Sequence, residues 1–180
     1  MKKSTPIFLL SLLFGMIACD PPIDRTAGGP AFDGTGYRAV YATAEELAVI
    51  KTQSPRPLRK PGKIYVQGNY LFVNEQGEGL HVIDNADPTK PRKISFLKIP
   101  GNNDIAAKGR YLYADNARDL VVLDIGDPTS IKLVKRVVDA IPPQNHPFLQ
   151  QVYFECPDDK KGIIVAWQKV PMSSPPACFR

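Results

Sequence analysis

The segment "GLHVIDNADPTKP" at Gly79–Pro91 returns in similar form as "DLVVLDIGDPTSI" at Asp119–Ile131. Each copy holds a run of aliphatic residues followed by an Asp-Pro-Thr turn, in which the carboxylate caps backbone N–H groups and Pro presets the next φ angle. The offset is 41 between Tyr70 and Tyr111 but 40 between the two Asp-Pro pairs, so one residue is lost in an intervening loop. The chain therefore contains an internal repeat of about 40 residues.

Each copy contains four segments typical of short β-strands. They read "KIYVQ", "YLFVN", "GLHVID" and "RKISFLKI" in the first copy, and "DIAAK", "YLYAD", "DLVVLDI" and "IKLVKRVV" in the second. Gly68-Asn69 marks a tight hairpin between the first two strands. The almost continuously apolar "VVLDI" indicates a strand covered on both faces. Four strands in a period near 40 predict a mainly β, propeller-like array of four-stranded antiparallel blades.

The chain divides into six predicted segments. They are a signal peptide (1–18), a flexible tether rich in Gly, Pro and Asp (19–40), a short helix with a Pro-rich lead-in (41–61), a first blade (62–101), a second blade (102–142), and a partial third blade with a Pro-rich tail (143–180). Thr43 and Glu46 form a capping box that predicts the one short helix. In the third blade, "VYFE" and "GIIVAW" correspond to the second and third strands, and the outer strand is missing.

The amino terminus predicts a lipid anchor. Two lysines precede an apolar stretch, Ile7–Ile17, that is too short for a comfortable membrane span. Ala18 then precedes Cys19 in "MIAC", which resembles the lipobox of bacterial lipoproteins. Met16 stands where that motif usually has Leu, so secretory cleavage and an uncleaved anchor are the alternatives. The sequence predicts lipidation at Cys19, membrane attachment through the lipid and a place in the bacterial cell envelope, on its periplasmic or surface-exposed side.

The remaining cysteines bear on a possible disulfide, and the net charge bears on the class of partner. Outside the cytoplasm Cys156 and Cys178 could form a disulfide that tethers the Pro-rich tail, and two free thiols are an equal alternative. Without Lys2 and Lys3 the net charge falls from +5 to +3, which points to no specific partner. Basic residues without interleaved aromatic residues do not favour nucleic-acid binding. We expect a protein or polysaccharide ligand, and no cofactor or metal.

No catalytic motif is present in the sequence. His81 is expected to pack between layers, because its counterpart in the second copy is a valine. Acidic residues recur at equivalent loops: Glu75 and Glu78 in one copy, Asp115 and Asp119 in the other. If these loops share a rim, the carboxylates could cluster, as carbohydrate-active enzymes require. Polar residues are common in loops, however, so we assign no catalytic residue and keep an envelope enzyme as the alternative function.

Two longer segments carry a family resemblance. "YLFVNEQGEGLHVIDNADPTKPRKI" and "YLYADNARDLVVLDIGDPTSIKLV" resemble the LVIVD repeat of bacterial exported proteins, in which an aromatic strand precedes an LxVxD strand and a D-P turn. The resemblance implies a propeller-like fold at a bacterial envelope and carries over no catalytic residue. The expected function is an envelope-anchored binding or scaffold module. A shortened copy of a longer propeller protein is a further alternative.

The number of repeats raises a problem of closure. A closed propeller needs about four to eight blades, whereas the sequence predicts two full blades and one partial blade. The chain is then a shortened relative, an open array, or a subunit that completes itself as a homo-oligomer.

Overall fold

The structure is a computed structural model that describes residues 29–180. The predicted signal peptide, the lipidation site Cys19 and the first part of the predicted tether, up to residue 28, lie outside the described residues. As predicted, the described chain is mainly β and contains one α-helix. Its strands are β1 (Thr35–Ala42), β2 (Lys51–Gln53), β3 (Pro61–Gln67), β4 (Tyr70–Glu75), β5 (Gly79–Asp84), β6 (Arg92–Lys98), β7 (Ile105–Lys108), β8 (Tyr111–Asn116), β9 (Asp119–Asp124), β10 (Lys132–Val137), β11 (Tyr153–Phe154), β12 (Ile163–Pro171) and β13 (Cys178–Phe179).

Each sequence repeat forms one antiparallel sheet. The first sheet has the order β2-β6-β5-β4-β3 and the second has the order β10-β9-β8-β7. The four predicted strands of each copy are present, and β2 adds a fifth strand to the outer edge of the first sheet by pairing with β6. β2 lies in the stretch that the sequence assigned to the lead-in. No closed sheet is found among the described residues.

The two repeat sheets share one hydrophobic core, and they contribute opposite faces to it. Neighbouring residues of a strand point to opposite faces of the sheet. Phe72 lies on one face of the first sheet, which we call the back face, and Leu71 lies on the opposite, front face. The second sheet turns Leu112, the counterpart of Leu71, toward that core, so the back of the first sheet meets the front of the second. The core comprises Phe72, Leu80, Val82, Leu97, Ile99, Ile105, Leu112, Ala114, Val121, Leu123 and Ile125.

The third sheet corrects the sequence analysis at two points. Its order is β12-β1-β11-β13, so a strand from near the amino terminus lies between two strands from the carboxyl-terminal part. Residues 35–40, which were predicted as flexible tether, form most of β1. The predicted neighbours "VYFE" and "GIIVAW" do not pair with each other, because β1 separates them. β1 pairs with β12 along its whole length and with β11 only at Tyr37, and these backbone hydrogen bonds stabilise a strand whose side chains bury little surface.

The helix α1 (Ala44–Ala48) begins with the capping box that the sequence predicts. The backbone N–H of Glu46 donates to Oγ1 of Thr43 over 3.2 Å, and the N–H of Thr43 donates to Oε2 of Glu46 over 2.8 Å. Leu47 is buried, and its carbonyl oxygen accepts a hydrogen bond from Arg136 of β10 over 3.2 Å. The helix is thereby fixed to the second sheet. Across residues 29–180 the structure has no helix with the length and apolar character to cross a membrane.

The two Asp-Pro-Thr turns are built alike. Oδ1 of Asp87 accepts from the N–H and the hydroxyl of Thr89, and Oδ1 of Asp127 accepts from the same groups of Thr129. These bonds to the threonine hydroxyls and backbone lower the pKa of both aspartates. The repeated motif is therefore a structural turn that directs the chain into β6 or β10.

A disulfide holds the tail to the third sheet. Cys156 and Cys178 are bonded, with their Cα atoms 5.3 Å apart, and Cys178 lies opposite Phe154 where β13 pairs with β11. Of the two states that the sequence leaves open, the structure contains the bridged one. The bridge closes a loop of 22 residues around β12.

Candidate functional site

A large cavity lies where the loop ends of both repeats meet the third sheet, and its volume is about 1120 Å³. The first repeat contributes the start of β3 and the β4–β5 turn, and the second contributes the β6–β7 connection and the β8–β9 turn. The third wall consists of β12 and the loop at residues 141–149. At the junction, a Cβ atom on Gly77 would lie 3.2 Å from that of Ala166, so glycine permits the close approach of the β4–β5 turn to β12.

Asp115 is the carboxylate most strongly held at the cavity wall. Its Oδ1 accepts hydrogen bonds from Nδ2 of Asn102 (2.7 Å) and from the backbone N–H groups of Asn103 (2.8 Å) and Asp104 (2.9 Å). Within residues 29–180 no donor reaches its Oδ2. Burial raises the pKa of Asp115, the nearby Asp104 carboxylate adds to this rise, and the three hydrogen bonds offset only part of it. Asp115 thus has one oxygen held in place by three protein donors and the other without a donor among the described residues, at a partly desolvated site.

An ion pair links the two repeats beside Asp115. Nζ of Lys63, at the start of the first repeat, lies 2.7 Å from Oδ1 of Asp104 in the connection to the second. Both side chains are largely exposed, so the pair adds little to stability. Both residues also line the cavity, which places a cation and an anion within its wall.

Aromatic and amide groups form the opposite wall. Trp167 on β12 donates from Nε1 to the carbonyl oxygen of Gln144 over 3.3 Å, and its ring meets that of Phe154 edge-on with centroids 5.3 Å apart. Tyr37 and Asn145 line the same cavity. These contacts fix the indole ring of Trp167 without covering it, since the side chain is half-buried.

The four acidic residues singled out in the sequence have different hydrogen-bond and ion-pair partners. Of Glu75, Glu78, Asp115 and Asp119, only Asp115 lines the cavity. Glu78 pairs with Arg56, whose guanidinium group lies 3.6 Å from the centroid of the Phe96 ring. Asp119 pairs with Arg136 over 2.6 Å and also accepts from the N–H of Asp139. The described residues include no group of three or more His, Cys, Asp and Glu side chains placed to hold a metal ion.

Glu75 and His81 form a buried pair away from the cavity. Oε2 of Glu75 lies 2.9 Å from Nε2 of His81, and both side chains are almost fully buried. Oε1 of Glu75 accepts from the N–H groups of Arg59 (3.1 Å) and Lys60 (2.5 Å), which anchors the lead-in across the first sheet. Burial raises the pKa of Glu75, but the hydrogen bonds from Lys60, Arg59 and His81 together outweigh it, so the net pKa is lowered. His81 packs between layers as expected, and its ring meets Phe96 edge-on.

Sequence reasoning missed most of the cavity wall. Lys63, Asp104 and Trp167 carry no motif, and they meet only because three sheets converge. A partial signal was present in the sequence. Asn74 of the first copy corresponds to Asp115 of the second, so a neutral amide is replaced by a carboxylate at this position. A charge that appears in one of two otherwise similar repeats indicates a local role.

Comparison with known families agrees with the repeated architecture. The family model described as LVIVD repeat matches residues 59–95 and 101–139. The chain carries two LVIVD repeats. The first matched segment contains β3 to β5 with the start of β6, and the second contains β7 to β10. A search of curated proteins and a search of solved structures each find no match. The LVIVD repeats supply Lys63, Asp104 and Asp115 to the cavity, whereas Tyr37 and Trp167 come from outside both matched segments.

Proposed function

We propose that the chain is a lipid-anchored LVIVD-repeat module of the bacterial cell envelope, and that it binds a ligand in the cavity between its repeats and its third sheet. The observation that carries this proposal is the environment of Asp115. A partly desolvated carboxylate with a raised pKa and a free oxygen costs stability, and such groups cluster at functional sites. The counterpart of Asp115 in the first repeat is Asn74, whose side chain is neutral.

The wall favours a polysaccharide segment as the ligand. A volume of about 1120 Å³ accommodates more than one sugar unit. The rings of Trp167 and Tyr37 offer apolar faces, while Asp115 and the amides of Gln144 and Asn145 offer hydrogen-bonding groups. A carbohydrate presents both kinds of surface, because its hydroxyl groups project from a ring whose faces carry C–H groups.

The directional packing of the repeats supports a propeller-like arrangement. In a blade array, the back of each blade meets the front of the next, which is how the first repeat meets the second. We propose that the two repeat sheets are consecutive blades and that the third sheet adjoins their loop ends at the cavity. The cavity then lies where the loop ends of the two blades converge on that sheet.

Ligand binding can be tested by calorimetric titration with soluble oligosaccharides released from bacterial envelopes. Asp115→Asn keeps an acceptor for Asn102, Asn103 and Asp104 but replaces the free oxygen by a donor, so we expect the affinity to fall about tenfold or more. Trp167→Ala should also weaken binding by removing the ring face. Asp127→Asn, in a turn that does not line the cavity, is the matched control and should bind as the parent chain does. Equal binding by Asp115→Asn and the parent would contradict the proposed site.

One observation favours an enzyme as the second candidate. Asp104 and Asp115 both line the cavity, and the Asp104 carboxylate contributes to the raised pKa of Asp115, an arrangement that general acid catalysis exploits. Mass spectrometry of the same oligosaccharides after incubation distinguishes the two functions. Shorter fragments that appear with the parent chain but not with Asp115→Asn would favour hydrolysis, and unchanged glycans would favour binding alone.

The lipid anchor rests on the sequence around Cys19. Metabolic labelling with an alkyne fatty acid should mark the parent chain, and the label should be lost in Cys19→Ser. Cys156→Ser is the control, since Cys156 is bonded to Cys178 in the folded part of the chain. A Cys19→Ser chain that keeps the label would contradict lipidation at this position.

A further inference from the structure

The second repeat leaves its back face open. Leu80 and Val82 of the first repeat are fully buried on the back face, but their counterparts Leu120 and Val122 are only half-buried. The outer strand shows the same contrast, because Leu97 is 3% exposed whereas its counterpart Val137 is 38% exposed. These positions correspond through the strand register, in which Leu80 faces Leu97 and Leu120 faces Val137. The back face of the second repeat is therefore a partly exposed apolar surface.

The first repeat leaves part of its front face open. Ile64 is 61% exposed, although its counterpart in the second repeat, Ile105, is 5% exposed within the shared core. Leu71, next to it on the same face, is half-buried, while its counterpart Leu112 is fully buried. Arg56 lies over Phe96 at the other end of this face, so the exposed part is the end that holds Ile64 and Leu71.

The two open faces are the two kinds of face that already pack together inside the chain. There, the back of the first repeat meets the front of the second. We propose that a second copy of this chain repeats that contact: the front face of one protomer, at Ile64 and Leu71, docks on the back face of another, at Leu120, Val122 and Val137. The partner is another copy because the internal interface already joins a back face of one repeat to a front face of the other.

The contact joins unlike surfaces, so it is heterologous. Such contacts produce a ring when the rotation per subunit closes, and a filament when it does not. A ring of such chains would place the repeat sheets of successive copies in one continuous series. Each added contact would remove apolar side chains from water on both partners, which is the main source of favourable association energy.

The test uses the asymmetry of a heterologous contact. Ile64→Glu places a charge on the front face and Val137→Glu places one on the back face, each at an already exposed position that tolerates substitution in the monomer. Val49→Glu, at an exposed valine after α1, is the matched control. The full chain is purified in detergent, and its protein mass is measured by sedimentation in density-matched buffer over a range of concentrations.

We expect the parent chain and Val49→Glu to form assemblies, and each of the two face variants to sediment as a monomer. An equimolar mixture of Ile64→Glu and Val137→Glu should form a dimer and no larger species, because each variant still has the one intact face that the other needs. A monomeric parent chain, face variants that assemble like the parent, or a mixture that stays monomeric would each overturn the proposal. A cavity-defective Trp167→Ala chain, altered in the third sheet and on neither docking face, should assemble normally, which separates this contact from ligand binding.

Discussion

The side-chain amide of Asn102 donates to Oδ1 of Asp115 over 2.7 Å, while its own Oδ1 accepts from the amide of Asn74 over 2.6 Å. Asn74 and Asp115 are equivalent positions of the two repeats, and Asn102 belongs to the connection between them. One fully buried side chain therefore joins both repeats at the cavity wall. The donor and acceptor of an amide suit this position, because one neighbour is a donor and the other is an acceptor.

Replacement of Asn102 should loosen the contact between the repeats. Asn102→Ala removes a buried partner from both neighbours, and we expect the free energy of unfolding to fall by about 1–3 kcal/mol. Urea denaturation followed by tyrosine and tryptophan fluorescence measures the change. Asn103→Ala, which removes a side-chain bond to Gly101 within the same connection, should cost less. Equal losses in the two variants would contradict the bridging role.

Glu75 should make stability sensitive to acid. Its folded-state pKa lies below the usual value of 4.5, so its contribution is complete above about pH 4.5 and is lost as the pH falls through the folded-state pKa. We expect Glu75→Gln to destabilise the protein at neutral pH by about 1–3 kcal/mol, because the pair with His81 loses its charge. The difference should shrink in acid. Unfolding free energies of both chains at several pH values test this, and a difference independent of pH would count against it.

Gly79, the first residue of the repeated stretch, should tolerate no side chain. Its φ is +142°, and a Cβ atom there would collide with the carbonyl oxygen of Leu97 and the N–H of Ile99. Gly79→Ala should therefore cost about 1–3 kcal/mol or prevent folding. Gly68→Ala is the control, since Gly68 has φ +54° but open space around it. Thermal unfolding of the two variants should show the larger loss for Gly79→Ala.

Removal of the disulfide should weaken the third sheet selectively. A bridge that closes a loop of 22 residues lowers the entropy of the unfolded chain, which stabilises the folded state by about 3 kcal/mol. In the double variant Cys156→Ser with Cys178→Ser, we expect faster amide exchange in β1, β11 and β12 and little change in β8 and β9. Hydrogen exchange read by mass spectrometry resolves these segments. Uniformly faster exchange across all three sheets would contradict a local effect.

The repeats and the helix could be predicted because their signals are local. Four strands per copy follow from short apolar runs and turn residues, and α1 follows from Thr43 and Glu46. The burial of His81 followed from comparison with its valine counterpart. Its pairing with Glu75 was within reach as well, since the hairpin of β4 and β5 brings the two residues to neighbouring positions on one face.

The third sheet could not be predicted because its partners are distant in the chain. Tyr37 pairs with Phe154 on one side and with Lys169 on the other, and nothing local in "TGYRAVYA" indicates those neighbours. The cavity depends on this sheet, so Trp167 and Tyr37 gave no signal as lining residues. The loops of Glu75, Glu78, Asp115 and Asp119 meet at the cavity, but the sequence left open whether the carboxylates cluster there. Only Asp115 lines the cavity, because each of the other three pairs with a histidine or an arginine of its own repeat or its lead-in.

The position of β1 has a consequence for the order of folding. The ribosome releases β1 before either repeat, but the strands on both of its edges are made only after both repeats. Until β11 and β12 emerge, β1 has two unpaired edges, the condition in which a strand is most exposed to misassembly. The repeats can pack as soon as Asp124 and its neighbours are synthesised, because their contacts are short in range. Completion of the cavity must wait for the tail, so a nascent chain passes through a stage in which its repeats are folded and its ligand site does not yet exist.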